Sequence, residues 1–161
     1  MGEIKINVSE QMDKIIQKVI DDLGLRDKVK FLGHVDLKKE FPKIDVLVLT
    51  SISEAQPLVM LEAGFFGVPC VATNVGACKQ LLYGSVNESP SLGQGGIVTP
   101  LANPEATAEA IIKLMTDKDF YKSCSRVFAE RIRKYYRIEE HHAEYKKIYN
   151  KHLEAFNQGD N

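Results

Sequence analysis

The chain has 161 residues, and its 21 Lys and Arg against 22 Asp and Glu give a formal net charge of −1. The chain therefore has no excess of positive charge to attract phosphate backbones, and we do not expect it to bind nucleic acid. The three cysteines show neither metal-ligand spacing nor the even count of a disulfide framework, and no segment approaches the roughly 20 apolar residues that a membrane span needs. We therefore expect one soluble, reduced, cytoplasmic protein with a sizeable core.

The amino-terminal part predicts a strand, a helix and a second strand. Residues 4–8 alternate like a short strand, and apolar residues then recur at three- and four-residue steps until Gly24 ends the helix. Residues 29–32 form the next predicted strand, and Gly33 and His34 follow it directly. Loops at the carboxyl ends of strands bind ligands in doubly wound folds. Both residues are therefore candidates for ligand contact, although a solvent-facing loop histidine explains His34 equally well.

A strand-loop-helix corner at residues 45–64 is the most informative stretch. Residues 45–49 form an apolar run of strand length, and the apolar segment after the next loop is too long for a strand. Pro57 suits the first helical position, where its missing N–H costs nothing. The free amides of Leu58 and Val59 then point out of the helix end, where the helix dipole favours an anion such as phosphate.

Two carboxylates bracket this helix end. Glu54 lies in the loop before it, and Glu62 lies in the second turn, roughly 7 Å further along the helix axis. Because like charges repel, we do not expect these acids to hold phosphate; we expect them to face neutral hydroxyls or developing positive charge. Sugar hydroxyls fit that description. The alternative is that Glu54 is a solvated loop residue and Glu62 an exposed helical position.

The rest of the chain continues to alternate strands and helices. Strands are predicted at residues 68–72 and 96–100, and Gly76, in the loop after the first of them, is expected to allow a close backbone approach. Asn103 is expected to cap the helix that begins at Pro104. This order predicts an α/β fold, a doubly wound parallel sheet with helices on both faces and extra carboxyl-terminal helices.

Composition predicts the character of two further segments, one rich in Ser, Gly and Pro and one rich in basic residues. Residues 84–95 are rich in Ser, Gly and Pro without periodicity, which indicates a mobile loop. The cluster of basic residues between 126 and 137, which includes Arg131, is interpreted as a solvated charge run on a helix surface.

The order of these motifs resembles a known family of enzymes. Glu54, seven intervening residues and Glu62, followed by the stretch from Gly67 to Gly76, resemble the donor-binding half of a retaining glycosyltransferase of family 4. That half is a Rossmann-like domain of the GT-B fold. The segments SISEAQPLVMLEAG and NVGACKQLLYG are similar to the PelF-like branch, which makes exopolysaccharide. The resemblance covers roughly residues 29–155.

The resemblance implies a role for each candidate residue. Glu62 would bind the ribose hydroxyls of the donor nucleotide, and Glu54 would contact the transferred sugar as the catalytic residue. The amides of Leu58 and Val59 would hold the distal phosphate without a metal, so no cofactor is expected. The remaining implied donor-binding residues are Gly33 and His34 near the base, Ala55 and Gln56 near the sugar, and Gly76.

The resemblance also implies domains and partners. We predict that residues 1–156 form one nucleotide-sugar-binding domain, a fragment without the acceptor domain and first strand, followed by a disordered tail at 157–161. Relatives carry an Arg and a Lys on an earlier loop, and nothing before Ile4 supplies them, so we expect this chain to be inactive alone. The expected partners are a nucleotide-sugar donor with UDP preferred, the acceptor domain and a membrane-associated polysaccharide synthesis complex.

Two other classes of function compete with this interpretation. One is a noncatalytic flavodoxin-like module for nucleotide binding or regulation. A receiver domain of that shape would need a phosphorylatable Asp at a strand end, whereas Asp45 begins its predicted strand. The other is a nucleotide-sugar epimerase of GT-B shape, which would need further catalytic acids and a histidine in a companion half.

Overall fold

The computed structural model of the protein describes residues 4–6 and 10–158, with their side chains at 14–139 and 142–153. The chain divides into two compact units, Met1–Glu40 and Phe41–Asn161, which are described separately. Residues 7–9 and 159–161, which include the end of the first predicted strand and most of the predicted tail, lie outside the described residues.

The first unit contains two parallel strands and two helices. Strand β1 pairs with β2 so that Ile4 lies opposite Val29 and Ile6 opposite Phe31. The strand, helix, strand order predicted from the alternation of apolar residues is therefore confirmed. The elements are β1 (Ile4–Ile6), α1 (Glu10–Asp22), β2 (Val29–Phe31) and α2 (Leu37–Glu40).

The second unit is built on a three-stranded parallel sheet. Its strands are β3 (Leu47–Leu49), β4 (Cys70–Thr73) and β5 (Gly96–Thr99), with β4 in the centre. All four residues of β4 are buried. A parallel strand is covered on both faces in this way when helices pack on each side of the sheet. The expected α/β class with a parallel sheet is thus confirmed.

Within the described residues, five helices complete the second unit, and a short 3₁₀ turn at Phe41–Lys43 begins it. The Asn103 side chain accepts a 2.9 Å hydrogen bond from the Ala106 N–H, which confirms the capped start of the helix at Pro104. The last helix runs through Gln158, so the first two residues of the predicted tail are helical. The helices are α3 (Leu58–Phe65), α4 (Cys78–Tyr83), α5 (Pro104–Thr116), α6 (Lys118–Tyr135) and α7 (Ile138–Gln158).

Helix α3 is held against α6 by a glycine contact. A Cβ atom at Gly64 would collide with Cγ1 of Ile132 and lie 3.1 Å from the ring of Phe128. Only a residue without a side chain permits this approach. Gly64 therefore faces α6. This contact sets how closely the carboxyl-terminal part of α3 packs against α6.

Arg131 and the segment 84–95 differ from their predicted roles. The Arg131 side chain is only 1% exposed and donates hydrogen bonds to the carbonyl oxygens of Leu82 and Gly93, at 2.7 and 2.6 Å. It also pairs with Glu88. Arg131 is therefore not part of a solvated charge run, and the segment predicted to be mobile is tied to α6 by this side chain.

None of the helices in the part of the chain that the structure describes is both long enough and apolar enough to cross a membrane.

Candidate functional site

The loops that follow β3 and β4 are packed against each other at the carboxyl edge of the sheet. The Ala77 N–H donates a 2.9 Å hydrogen bond to the carbonyl oxygen of Ala55. Gly76 adopts a φ of +48°, and a Cβ there would collide with the carbonyl oxygens of Glu54 and Ala55. The close backbone approach predicted at Gly76 therefore exists, and the group that approaches is the neighbouring loop of the protein itself.

A buried threonine fastens the first loop to the central strand. The Thr73 side chain lies at the end of β4, where the residue is 4% exposed, and its hydroxyl donates a 2.5 Å hydrogen bond to the carbonyl oxygen of Ser51. The Asn74 N–H donates to the carbonyl oxygen of Thr99 at 2.9 Å, which ties the same edge to β5. The loop carrying Glu54 thus begins from a fixed point on the sheet.

Glu54 is a partly buried carboxylate with one oriented oxygen. Its Oε1 accepts a 2.7 Å hydrogen bond from the hydroxyl of Ser51. The thiol of Cys78 lies nearby: burial raises the pKa of that thiol, and the negative charge of Glu54 raises it further. Glu54 is therefore packed into the junction of the two loops, unlike a solvated loop residue.

The amino end of α3 is open at the surface. Pro57 is the residue that precedes the helix, with φ −72° and ψ 112°, one position earlier than predicted. Among the side chains that the structure describes, none caps this end, and the amides of Leu58 and Val59 occupy the first two helical positions, which have no intrahelical acceptor. Leu58 is 69% exposed and Val59 is half-buried, whereas Pro57 before them is buried, so the first helical residue lies at the surface.

The other predicted site residues lie in two places. Ala55 and Gln56 are exposed on the loop before α3, and Glu62 is exposed on that helix. The second unit thus contains Glu54, the α3 amides and Gly76 on adjoining loops. Gly33 and His34 belong to the first unit, where they are exposed in the loop after β2.

The three cysteines are free and buried. Burial raises the pKa of the Cys70 thiol well above its ordinary value and that of Cys124 to about 11. A protonated, inaccessible thiol is a poor nucleophile. All three cysteines therefore pack as small apolar residues of the core.

Sequence reasoning missed Ser51 and Thr73 as parts of this site. A signal for each was present: Ser51 lies three residues before Glu54, and Thr73 is a hydroxyl residue at the last position of a buried strand. Neither signal identifies the partner atom, because the hydrogen bond from Thr73 to Ser51 joins residues 22 positions apart.

Comparisons with known proteins agree with this architecture. Residues 6–117 match the family described as "Glycosyl transferases group 1". The chain is 27% identical over 135 residues to N-acetyl-alpha-D-glucosaminyl L-malate synthase of Bacillus anthracis, covering 83% of this chain and 33% of that protein. It is 33% identical over 126 residues to D-inositol 3-phosphate glycosyltransferase of Paenarthrobacter aurescens, covering 76% of this chain and 29% of that protein. The chain thus spans about a third of the length of these curated relatives.

Solved structures show the same fold. HepE of Anabaena, solved in complex with UDP, superposes with a TM-score of 0.79 at 19% sequence identity, covering 93% of this chain and 41% of that chain. At this identity the likeness establishes the fold, which is that of GT-B glycosyltransferases.

Proposed function

Since the chain belongs to the glycosyl transferases group 1 family, we propose that it is the donor-binding part of a retaining glycosyltransferase of family 4. The whole protein would move a sugar from a nucleotide-sugar, with UDP-sugar preferred, to an acceptor. A role in polysaccharide or glycoconjugate synthesis follows from the PelF-like resemblance of residues 51–64 and 74–84. The family membership argues against a noncatalytic flavodoxin-like module and against an epimerase.

One observation supports the proposal most strongly: an open helix end stands beside an oriented carboxylate. The first amides of α3 are uncapped, and Leu58 is exposed at that end. Glu54, in the loop directly before this helix, has one carboxylate oxygen held by Ser51. A nucleotide-sugar could place its diphosphate on the amides and its sugar at the Glu54 carboxylate. Amides at a helix end bind anions, and a carboxylate accepts hydrogen bonds from sugar hydroxyls.

Each group would then have a distinct role in sugar transfer. The amides of Leu58 and Val59 bind the distal phosphate and stabilise it as the bond from the sugar anomeric carbon to the phosphate oxygen breaks. The Glu54 carboxylate stabilises the oxocarbenium-like charge that develops on the sugar during that step. Glu62 accepts hydrogen bonds from the ribose hydroxyls through its charged carboxylate.

The remaining candidates have supporting roles in the proposal. Ala55 and Gln56 would contact the sugar, and Gly76 would shape the loop junction beside it. Gly33 and His34, in the first unit, would contact the base; this assignment rests on the family resemblance alone. The acceptor would be bound by a further domain of the whole protein. We propose no metal cofactor, because the α3 amides would supply the positive charge that a cation supplies elsewhere.

Direct ligand titration tests the proposal. UDP, UDP-glucose and GDP-mannose are titrated into the chain and into Glu62→Ala, with Glu109→Ala as the control because Glu109 is also an exposed helical glutamate. We expect the wild-type chain and the control to bind a nucleotide ligand, and Glu62→Ala to bind it about tenfold or more weakly. Equal binding by all three proteins, or no binding by the wild type, would contradict the donor site.

A further inference from the structure

We infer that Ser51 is a positioning residue that presents the Glu54 carboxylate to the sugar of the donor. The inference rests on the proposed function and deepens it, because it assigns sugar recognition to a residue that does not itself contact the sugar. Its basis is a relay of two hydrogen bonds that runs from the central strand through Ser51 to Glu54.

The first step of the relay fixes the backbone of Ser51. The hydroxyl of Thr73 donates to the carbonyl oxygen of Ser51, and Thr73 is almost fully buried at the end of β4. β4 is paired on both sides, with β3 and with β5. The carbonyl of Ser51 is therefore anchored to the most constrained strand of the sheet, two residues after β3 ends.

The second step fixes the carboxylate. The Ser51 hydroxyl has one proton, and it donates that proton to Oε1 of Glu54 at 2.7 Å. Within the described part of the chain, no protein group donates to Oε2 of Glu54. One carboxylate oxygen is thus held by the protein, and the other keeps its capacity to accept a hydrogen bond from a ligand hydroxyl.

This arrangement orders the carboxylate before the donor arrives. A carboxylate that is already held loses little conformational freedom on binding, so more of its interaction with the sugar appears as affinity. A nucleotide without a sugar makes no use of Glu54. The contribution of Ser51 should therefore appear in the affinity for a nucleotide-sugar and not in the affinity for the nucleotide diphosphate alone.

The experiment compares two pairs of ligands and four proteins. UDP and UDP-glucose, and in the same way GDP and GDP-mannose, are titrated into the wild type, Ser51→Ala, Ser51→Thr and Ser53→Ala, each as the 161-residue chain. Ser51→Thr keeps a hydroxyl at the same position. Ser53→Ala is the matched control, because Ser53 is an exposed serine of the same loop.

For the ligand pair that binds, we expect Ser51→Ala to weaken nucleotide-sugar binding about five- to tenfold and to change nucleotide diphosphate binding less than twofold. Ser51→Thr should restore most of the sugar-dependent affinity, and Ser53→Ala should match the wild type with both ligands. Thermal unfolding of each variant shows whether the loop change has altered the fold as a whole.

Three results would overturn the inference. Unchanged nucleotide-sugar binding by Ser51→Ala, while Glu62→Ala loses binding, would refute the role of Ser51 and leave the donor site standing. Equal losses for both ligands in Ser51→Ala would show that Ser51 only maintains the loop. A wild-type chain that binds none of the four ligands would refute the donor site and the inference together.

Discussion

Arg131 and Glu88 form a buried ion pair joined at two points. Nε of Arg131 lies 2.6 Å from Oε2 of Glu88, and Nη2 lies 2.8 Å from Oε1, with the two side chains 1% and 4% exposed. The Leu92 N–H donates to Oε1 of Glu88 as well, at 2.9 Å. Every group in this cluster has a partner, which is the condition under which a buried ion pair is tolerated.

Breaking this pair is expected to destabilise the protein strongly. Arg131→Met leaves Glu88 charged and unpaired in the interior, and it removes the donor to the carbonyl oxygens of Leu82 and Gly93. We expect a loss of about 3–5 kcal/mol in the free energy of unfolding, measured by urea denaturation. Arg126→Ala, an exposed change on the same helix, should alter it by about 0.5 kcal/mol or less. Similar effects of the two substitutions would show that the pair is not buried in solution.

The same pair should make stability depend on pH. The hydrogen bond from Arg131 holds the pKa of Glu88 below its ordinary value of 4.5. A carboxyl group with a lowered pKa in the folded state stabilises the fold above its unfolded pKa, and this contribution is lost as the pH falls through the folded pKa. The difference in unfolding free energy between wild type and Glu88→Gln, measured from pH 7 to pH 3, should therefore shrink below about pH 4.5. A constant difference would contradict the assignment.

Gly76 should not tolerate a side chain. Gly76→Ala places a methyl group against the carbonyl oxygens of Glu54 and Ala55, and it also requires a positive φ from alanine. We expect a loss of about 3 kcal/mol or more in the free energy of unfolding, together with loss of nucleotide-sugar binding. Gly67→Ala is the control, because it has a similar φ of +73° but its nearest neighbour is the Ser125 hydroxyl at 3.3 Å. The control should lose clearly less stability.

The three cysteine thiols should react with a thiol reagent only when the protein unfolds. Cys70, Cys78 and Cys124 are buried, and burial raises the pKa of each of them. At pH 8 we expect an aromatic disulfide reagent to modify none of them rapidly in the native protein and all of them in urea. Thr50→Cys adds a thiol at an exposed position and should react at once. Rapid modification of a native cysteine would show that the core around it is accessible.

The sequence predicted the local elements well, because their signals are local. The buried apolar runs became β3, β4 and β5, and Asn103 before Pro104 marked the start of α5. Glu54 and Glu62 were predicted as site residues because the residues between them follow the pattern of a loop that enters a helix, and their roles remain a prediction. The parallel direction of the strands also follows from this pattern, since a helix separates each strand from the next.

Apart from the local bond between Ser51 and Glu54, the contacts that were missed join residues far apart in the chain. Arg131 falls on the same face of α6 as the buried residues Val127 and Phe128, yet its charge favoured a solvated position. Only the structure brings Glu88, 43 residues earlier, to the same place. Gly76 was correctly marked as a point of close approach, but the approaching group is a carbonyl of another loop. Spacing along one element contains no information about such pairings.

The close contact between the backbone of Gly76 and the carbonyl oxygens of Glu54 and Ala55 has a consequence for protein engineering. The backbones of the 51–56 loop and the 74–77 turn are in direct contact. The conformation of each segment therefore depends on the other. A chimera that imports the 51–56 loop into another scaffold would have to import the 74–77 turn together with it, and swapping either alone would bring mismatched surfaces into contact. The two segments would therefore have to be transplanted as one piece.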